Sequence, residues 1–63
     1  MKVVLSNKMT YYCGFDVEVG DMVKVPRPWF LEGVDGEYGP MILEVKKIGS
    51  SYDGDLVSVI SRA

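Results

Sequence analysis

The strongest constraint on the fold is an alternation of apolar and polar residues in the first half of the chain. From Met9 to Val19 the odd positions read Met, Tyr, Cys, Phe, Val and Val, whereas the even positions are largely polar or small. A repeat of two residues is typical of a β-strand with one buried face. Gly20-Asp21 then predicts a reversal of the chain, followed by a strand over residues 22–25 whose valines face the core.

The other strands are predicted from similar patterns. They cover residues 2–6, 41–48 and 56–61, with a tight turn at Asn7-Lys8 and a hairpin turn at Asp53-Gly54. No window of the chain has a helical repeat, so a ferredoxin-like α+β fold would need a helix that the sequence does not provide. The predicted fold class is therefore all-β, a small five-stranded SH3-like barrel, closed or nearly closed.

The longest loop is predicted at residues 27–40. Pro26 and Pro28 end the preceding strand because proline cannot donate a hydrogen bond to a β-ladder. Three glycines and a further proline then interrupt the chain before the next strand. With 63 residues in all, we expect one domain over residues 1–63 that carries this single long loop.

The small size limits how the fold is stabilised. Apolar burial at about 25 cal/mol per Å² must offset about 1.5 kcal/mol of conformational entropy for each ordered residue. The single cysteine cannot form an internal disulfide, and the absence of histidine argues against a zinc site of the usual Cys/His kind. We therefore predict no metal and no cofactor, and we expect a protein partner or self-association.

Charge and composition favour some function classes over others. The net charge is −2 with a pI near 4.8, which disfavours a nucleic-acid binder because such proteins normally present a basic face. No catalytic constellation is recognisable, so the protein is predicted not to be an enzyme. Residues 1–6 do not resemble a signal peptide, and no apolar run is long enough for a membrane span. Cys13 is then expected to be a buried, inert thiol in a cytoplasmic protein.

One segment resembles a known family. The pattern Tyr12…Val17-Glu18-Val19-Gly20-Asp21-Met22-Val23-Lys24-Val25-Pro26 is similar to the N-terminal 3′-DNA-end-binding domain of the primosomal helicase PriA, and to small phage-encoded proteins. Similar turn-strand patterns occur in other SH3-like barrels, such as the KOW modules that bind RNA or proteins. The resemblance implies the barrel fold and, as an alternative, binding of single-stranded or 3′-end nucleic acid. Its terminal-nucleotide pocket has no recognisable counterpart here, because the insertion Arg27–Gly33 departs from the family pattern.

The feature most suggestive of function is the run Trp29-Phe30-Leu31 inside the long loop. One interpretation makes it a lid that folds back over an open end of the barrel. The other makes it an anchor for a protein partner, since tryptophan and arginine are enriched in interface hot spots. We predict a non-catalytic binding module, a phage-type accessory protein that engages a protein partner, whose binding residues are Arg27, Trp29, Phe30, Leu31 and Tyr38.

Two alternative functions remain open at the level of sequence. A nucleic-acid site would use lysines for phosphates and tyrosines for base stacking, namely Lys24, Lys46, Lys47, Tyr12 and Tyr52. The same lysines also fit a solvated sheet edge protected against aggregation. The third possibility is a structural homo-oligomer whose interface is completed by the long loop.

Overall fold

A computed structural model describes all 63 residues and contains one five-stranded antiparallel sheet. The strands are short because glycine, proline and Asx residues interrupt the chain every few positions. They are β1 (Lys2–Leu5), β2 (Thr10–Tyr12), β3 (Met22–Val25), β4 (Met41–Ile48) and β5 (Ser61–Arg62), in the spatial order β2-β1-β4-β3-β5. The only helices are two 3₁₀ turns, Trp29–Leu31 and Val34–Gly36. The all-β class is confirmed.

The predicted turn at Asn7-Lys8 connects β1 to β2. Lys8 has a φ of 69°, and its amide donates to the Leu5 carbonyl at 2.8 Å. The Asn7 side-chain oxygen accepts a hydrogen bond from the Met9 amide at 3.1 Å, as in an Asx turn. This turn sets the register in which Tyr11 lies opposite Val3.

Only part of the alternating segment from Met9 to Val19 forms a strand. β2 ends at Tyr12 because its partner β1 extends no further than Lys2, so the following residues have no strand to pair with. The inward positions nevertheless continue, since Cys13 is buried and residues 15 and 17 pack against the core. The prediction is wrong at its two ends, where Met9 and Val19 are exposed.

The reversal at Gly20-Asp21 is confirmed. Gly20 adopts a φ of +100°, which is strained for any residue with a side chain. The Asp21 amide donates to the Glu18 carbonyl at 3.0 Å, and the Asp21 carboxylate accepts from the Glu18 amide at 2.8 Å. β3 begins directly after this turn, and its two valines, Val23 and Val25, are fully buried as predicted.

The hairpin predicted at Asp53-Gly54 is wrong. β4 already pairs with β1 on one side and with β3 on the other, so neither of its edges is free for residues 56–61. The chain after Ile48 instead crosses to the far edge, where β5 pairs with β3.

The C-terminal segment, residues 57–63, contacts both edges of the sheet. On the β2 side, the Tyr12 amide donates to the Val57 carbonyl at 3.0 Å, and the Val59 amide donates to the Tyr12 carbonyl at 2.8 Å. On the β3 side, the Ile60 amide donates to the Lys24 carbonyl at 2.8 Å. These bonds include only one isolated bridge to β2, so the sheet is not closed by a continuous ladder and a closed barrel is not confirmed.

The core is small and entirely apolar apart from one phenol and one thiol. Every strand except β5 contributes at least one buried side chain to it. Its eight buried members are Val3, Leu5, Tyr11, Cys13, Val23, Val25, Val45 and Val59. The thiol of Cys13 donates to the Phe15 carbonyl at 3.1 Å, so the expectation of a buried cysteine is confirmed.

Candidate functional site

The long loop at residues 27–40, called the aromatic loop below, is closed by one of its own side chains. The Arg27 Nε atom donates to the Gly39 carbonyl at 2.9 Å, which joins the start of the loop to its end. Arg27 Nη1 also lies 3.6 Å from Glu37 Oε2. The Arg27 side chain is only 13% exposed, and both of its polar contacts are with residues of the loop. The sequence predicted Arg27 as a contact for a partner. In the structure it acts as a brace, that is, a side chain that holds the two ends of the loop together.

Backbone hydrogen bonds give the aromatic loop a defined internal structure. The Gly33 amide donates to the Glu37 carbonyl at 2.7 Å, and the Gly36 amide donates to the Gly33 carbonyl at 3.0 Å. Gly33 has a φ of +78°, and a Cβ atom there would lie 2.9 Å from the Tyr38 hydroxyl. Tyr38 thus packs directly over the Gly33 backbone, which explains why this position suits glycine.

The aromatic side chains of this loop project into solvent. Trp29 is 83% exposed, Phe30 62% and Tyr38 74%, while Leu31 is half-buried. The rings of Trp29 and Phe30 contact each other edge to face, with centroids 5.8 Å apart. None of these residues covers the core, so the lid interpretation is wrong.

An apolar groove of about 440 Å³ lies beside Phe30 and Leu31. Its walls come from the aromatic loop on one side and from the β1–β2 turn and the C-terminal segment on the other. The lining residues are Asn7, Met9, Tyr11, Pro26, Arg27, Pro28, Phe30, Leu31, Met41 and Val57. The Asn7 amide donates to the Tyr11 hydroxyl at 3.0 Å, so these polar groups are already paired within the wall.

A second depression of about 280 Å³ continues from this groove. The two share Met9, Tyr11 and Val57, and the second adds Tyr52 and Asp55 among its walls. Tyr52, predicted as a nucleic-acid contact, is therefore placed on the same side of the molecule as the groove.

The sequence did not indicate the far wall of the groove. Met9 and Val57 lie in segments that are distant along the chain, and Met9 was assigned to the core by the alternation. Met41 opens β4 and is half-buried. For Met9 the sequence did contain one indication. Met9 directly follows the predicted turn at Asn7-Lys8, and the alternation of buried positions ends where a strand meets a turn.

The lysines of the nucleic-acid alternative are not gathered in one patch. Lys24 lies opposite Ile42 in the β3–β4 ladder, so Lys46 is four residues, or about 13 Å, further along β4. Lys46 pairs with Glu44 at 3.3 Å. Lys47 lies opposite Val4 in the β1–β4 ladder, next to a register irregularity. Tyr12 belongs to β2 and is separated from β4 by β1. The structure therefore spreads these residues across the sheet.

No family model, curated protein or solved structure matches this chain. The structure has no group of three or more His, Cys, Asp or Glu residues placed to hold a metal ion. Neither 3₁₀ turn has the length or the apolarity needed to cross a membrane.

The brace formed by Arg27 leads to a testable expectation. In Arg27→Ala, the amides of Gly33 and Gly36 should exchange with solvent at least about tenfold faster, because a charge-assisted hydrogen bond contributes about 1.5 kcal/mol or more. Hydrogen-exchange NMR measures this directly. Amides of β3 should keep their protection, and Lys47→Ala is the matched control for loss of a positive charge. Unchanged exchange in the loop of Arg27→Ala would show that Arg27 does not hold it closed.

Proposed function

We propose that this protein is a small SH3-like β-barrel module of the phage-accessory type that binds a protein partner through its aromatic loop and the adjoining groove. The observation that carries the proposal is the pair Trp29 and Phe30, which are exposed on a loop braced from within and stand beside an apolar groove. Surface aromatic rings next to an apolar concavity are typical of interaction sites.

The braced loop favours tight binding. A loop that is already ordered loses less conformational entropy when its partner binds, so more of the contact energy remains as affinity. Trp29 and Phe30 each have only two side-chain torsions, and their mutual contact restricts them further. The site is therefore suited to presenting two large apolar anchors in a fixed arrangement.

The barrel part of the proposal is supported by the C-terminal segment. Residues 57–60 form hydrogen bonds to both β2 and β3, which are otherwise on opposite sides of the sheet. A sheet whose two sides are linked by one segment resembles a partly open barrel, and such barrels commonly bind ligands with their connecting loops.

Charge supports a protein partner in preference to a nucleic acid. The aromatic loop contains Glu32, Asp35 and Glu37, whereas its one cation, Arg27, is paired with Glu37. Carboxylates this close to Trp29 and Phe30 would repel phosphates and weaken any stacking of bases on these rings.

Capture from a lysate of the source organism tests the proposal. After nuclease treatment, immobilised wild-type protein should retain a partner that Trp29→Ala does not retain, and the interaction should reappear between the two purified proteins. Tyr12→Ala removes another exposed aromatic ring, outside the loop, and should bind as the wild type does. Binding that needs nucleic acid and is lost in Lys46→Glu with Lys47→Glu would favour the nucleic-acid alternative. A dimer in light scattering that dissociates in Trp29→Ala would favour self-association.

A further inference from the structure

We infer that the groove accepts a segment of the partner in which large apolar side chains are flanked by lysine or arginine. This inference rests on the proposed function and specifies the chemistry of the partner. The inference is based on the acidic residues of the chain, which are concentrated in two segments that border the groove.

Two of the three segments that border the groove are strongly acidic, whereas the third, the β1–β2 turn, carries Lys8. Residues 27–40 and 49–60 together hold five of the nine acidic residues but only one of the seven basic ones. That basic residue is Arg27, and its guanidinium is already paired with Glu37. The rest of the chain has more basic than acidic residues, so the negative charge of the protein is concentrated in these two segments of the sequence.

Two of these carboxylates, Glu32 and Asp55, lie next to residues that line the groove, at what is called its rim below. Glu32 directly follows Leu31, which lines the groove, and it is exposed. Asp55 lines the adjoining depression that shares Met9 and Val57 with the groove, and Lys8 lines the same depression without pairing with Asp55. Neither Glu32 nor Asp55 forms an ion pair within the protein, whereas Glu37 and Glu44 do. Glu32 and Asp55 are therefore free to interact with cations of a partner.

The groove and its rim favour different kinds of side chain in a bound segment. Inside the groove, the polar groups Asn7 and Tyr11 bond to each other, so a polar side chain entering beside them would lose its hydration without adequate compensation. At the rim, an acidic side chain of the partner would be repelled and a basic one attracted. The segment that fits both regions is apolar in the middle and basic at its ends.

Selection from a random dodecapeptide library displayed on phage tests this inference. Wild-type protein should enrich, relative to Phe30→Ala, peptides that combine large aliphatic or aromatic residues with adjacent lysine or arginine. A synthetic peptide from this set should bind at least tenfold more weakly when its basic residues are replaced by glutamate. Its affinity for the wild type should also fall as sodium chloride is raised, because exposed charges are screened.

Variants of the protein complete the test. Glu32→Gln with Asp55→Asn should weaken binding of the basic peptide several-fold, with no change in circular dichroism. The matched control is Asp16→Asn with Glu18→Gln, since these carboxylates line a separate depression that shares no residue with the groove. This control should bind the peptide as the wild type does.

The outcomes of these experiments distinguish the inference about a basic segment from the proposed function on which it rests. Enriched peptides without a basic bias, or an affinity that survives replacement of the basic residues, would overturn the inference and leave binding in the groove intact. If the wild type enriches nothing beyond Phe30→Ala, the proposed function is overturned together with the inference.

Discussion

Replacing Trp29 and Phe30 together by alanine is expected to weaken partner binding at least about 100-fold, since each such anchor typically contributes 2 kcal/mol or more. The melting temperature should hardly change. Trp29 is 83% exposed and Phe30 62%, so the folded protein gains little from burying either ring. A large loss of affinity at constant stability would identify these residues as binding residues.

The single variants refine this expectation. Because the two rings contact each other at 5.8 Å, the effects of Trp29→Ala and Phe30→Ala should not be additive. Titration calorimetry with the purified partner gives the three affinities, and thermal unfolding followed by circular dichroism gives the stabilities. Val34→Ala is the control, since Val34 is an exposed apolar residue of the same loop that does not line the groove. Near-wild-type affinity of the double variant would contradict the proposed site.

Leu5→Ala is expected to unfold a large fraction of the protein. Removing a buried leucine side chain costs about 2–5 kcal/mol. A chain of this length has a total stability of only about 3–9 kcal/mol, at 0.05–0.15 kcal/mol per residue. Leu5 is 1% exposed, pairs with Val45 across β1 and β4, and belongs to a core of eight residues. Few neighbours are therefore available to fill the cavity.

Denaturant unfolding measures this effect. The midpoint for Leu5→Ala should fall sharply, or the variant should show no folded baseline at all. Ile42→Ala removes a similar side chain from the exposed side of β4, where Ile42 is 53% exposed, and should change the stability by well under half as much. Equal effects of the two substitutions would mean that the core does not lie where the structure places it.

The central strands could be predicted from the sequence because their signals are local. β3 and β4 have the predicted bounds, 22–25 and 41–48, since a turn or a glycine-proline pair marks where each begins. The inward positions Val23 and Val25 follow from the alternation alone. The loop between these strands was predicted for the same reason, because two prolines exclude residues 26–28 from the ladder.

The C-terminal segment could not be predicted in the same way. Asp53-Gly54 is a good local turn signal, but a hairpin also needs a free edge on the preceding strand. β4 has none, because β1 and β3 occupy both of its sides. That information depends on pairing between residues far apart along the chain, which local patterns do not contain.

The candidate site was predicted in part. Its loop side follows from residue types, since Trp29, Phe30 and Leu31 form a run of large apolar residues where no strand can continue. The opposite side needs the fold, because Met9 and Val57 meet only when the C-terminal segment lies against β2. Arg27 was assigned to the interface from its residue type, and only the structure shows its bonds to Gly39 and Glu37.

The brace across the aromatic loop has a consequence for how such a protein can diversify. Arg27 fixes the two ends of the loop, and most of the side chains between them contribute little to the buried core. Substitutions in this stretch can therefore change the surface of the loop while the sheet keeps its stability. The chain thus consists of a framework that needs its buried residues for stability and a loop whose exposed residues do not, which is the arrangement in which loops generally tolerate sequence variation.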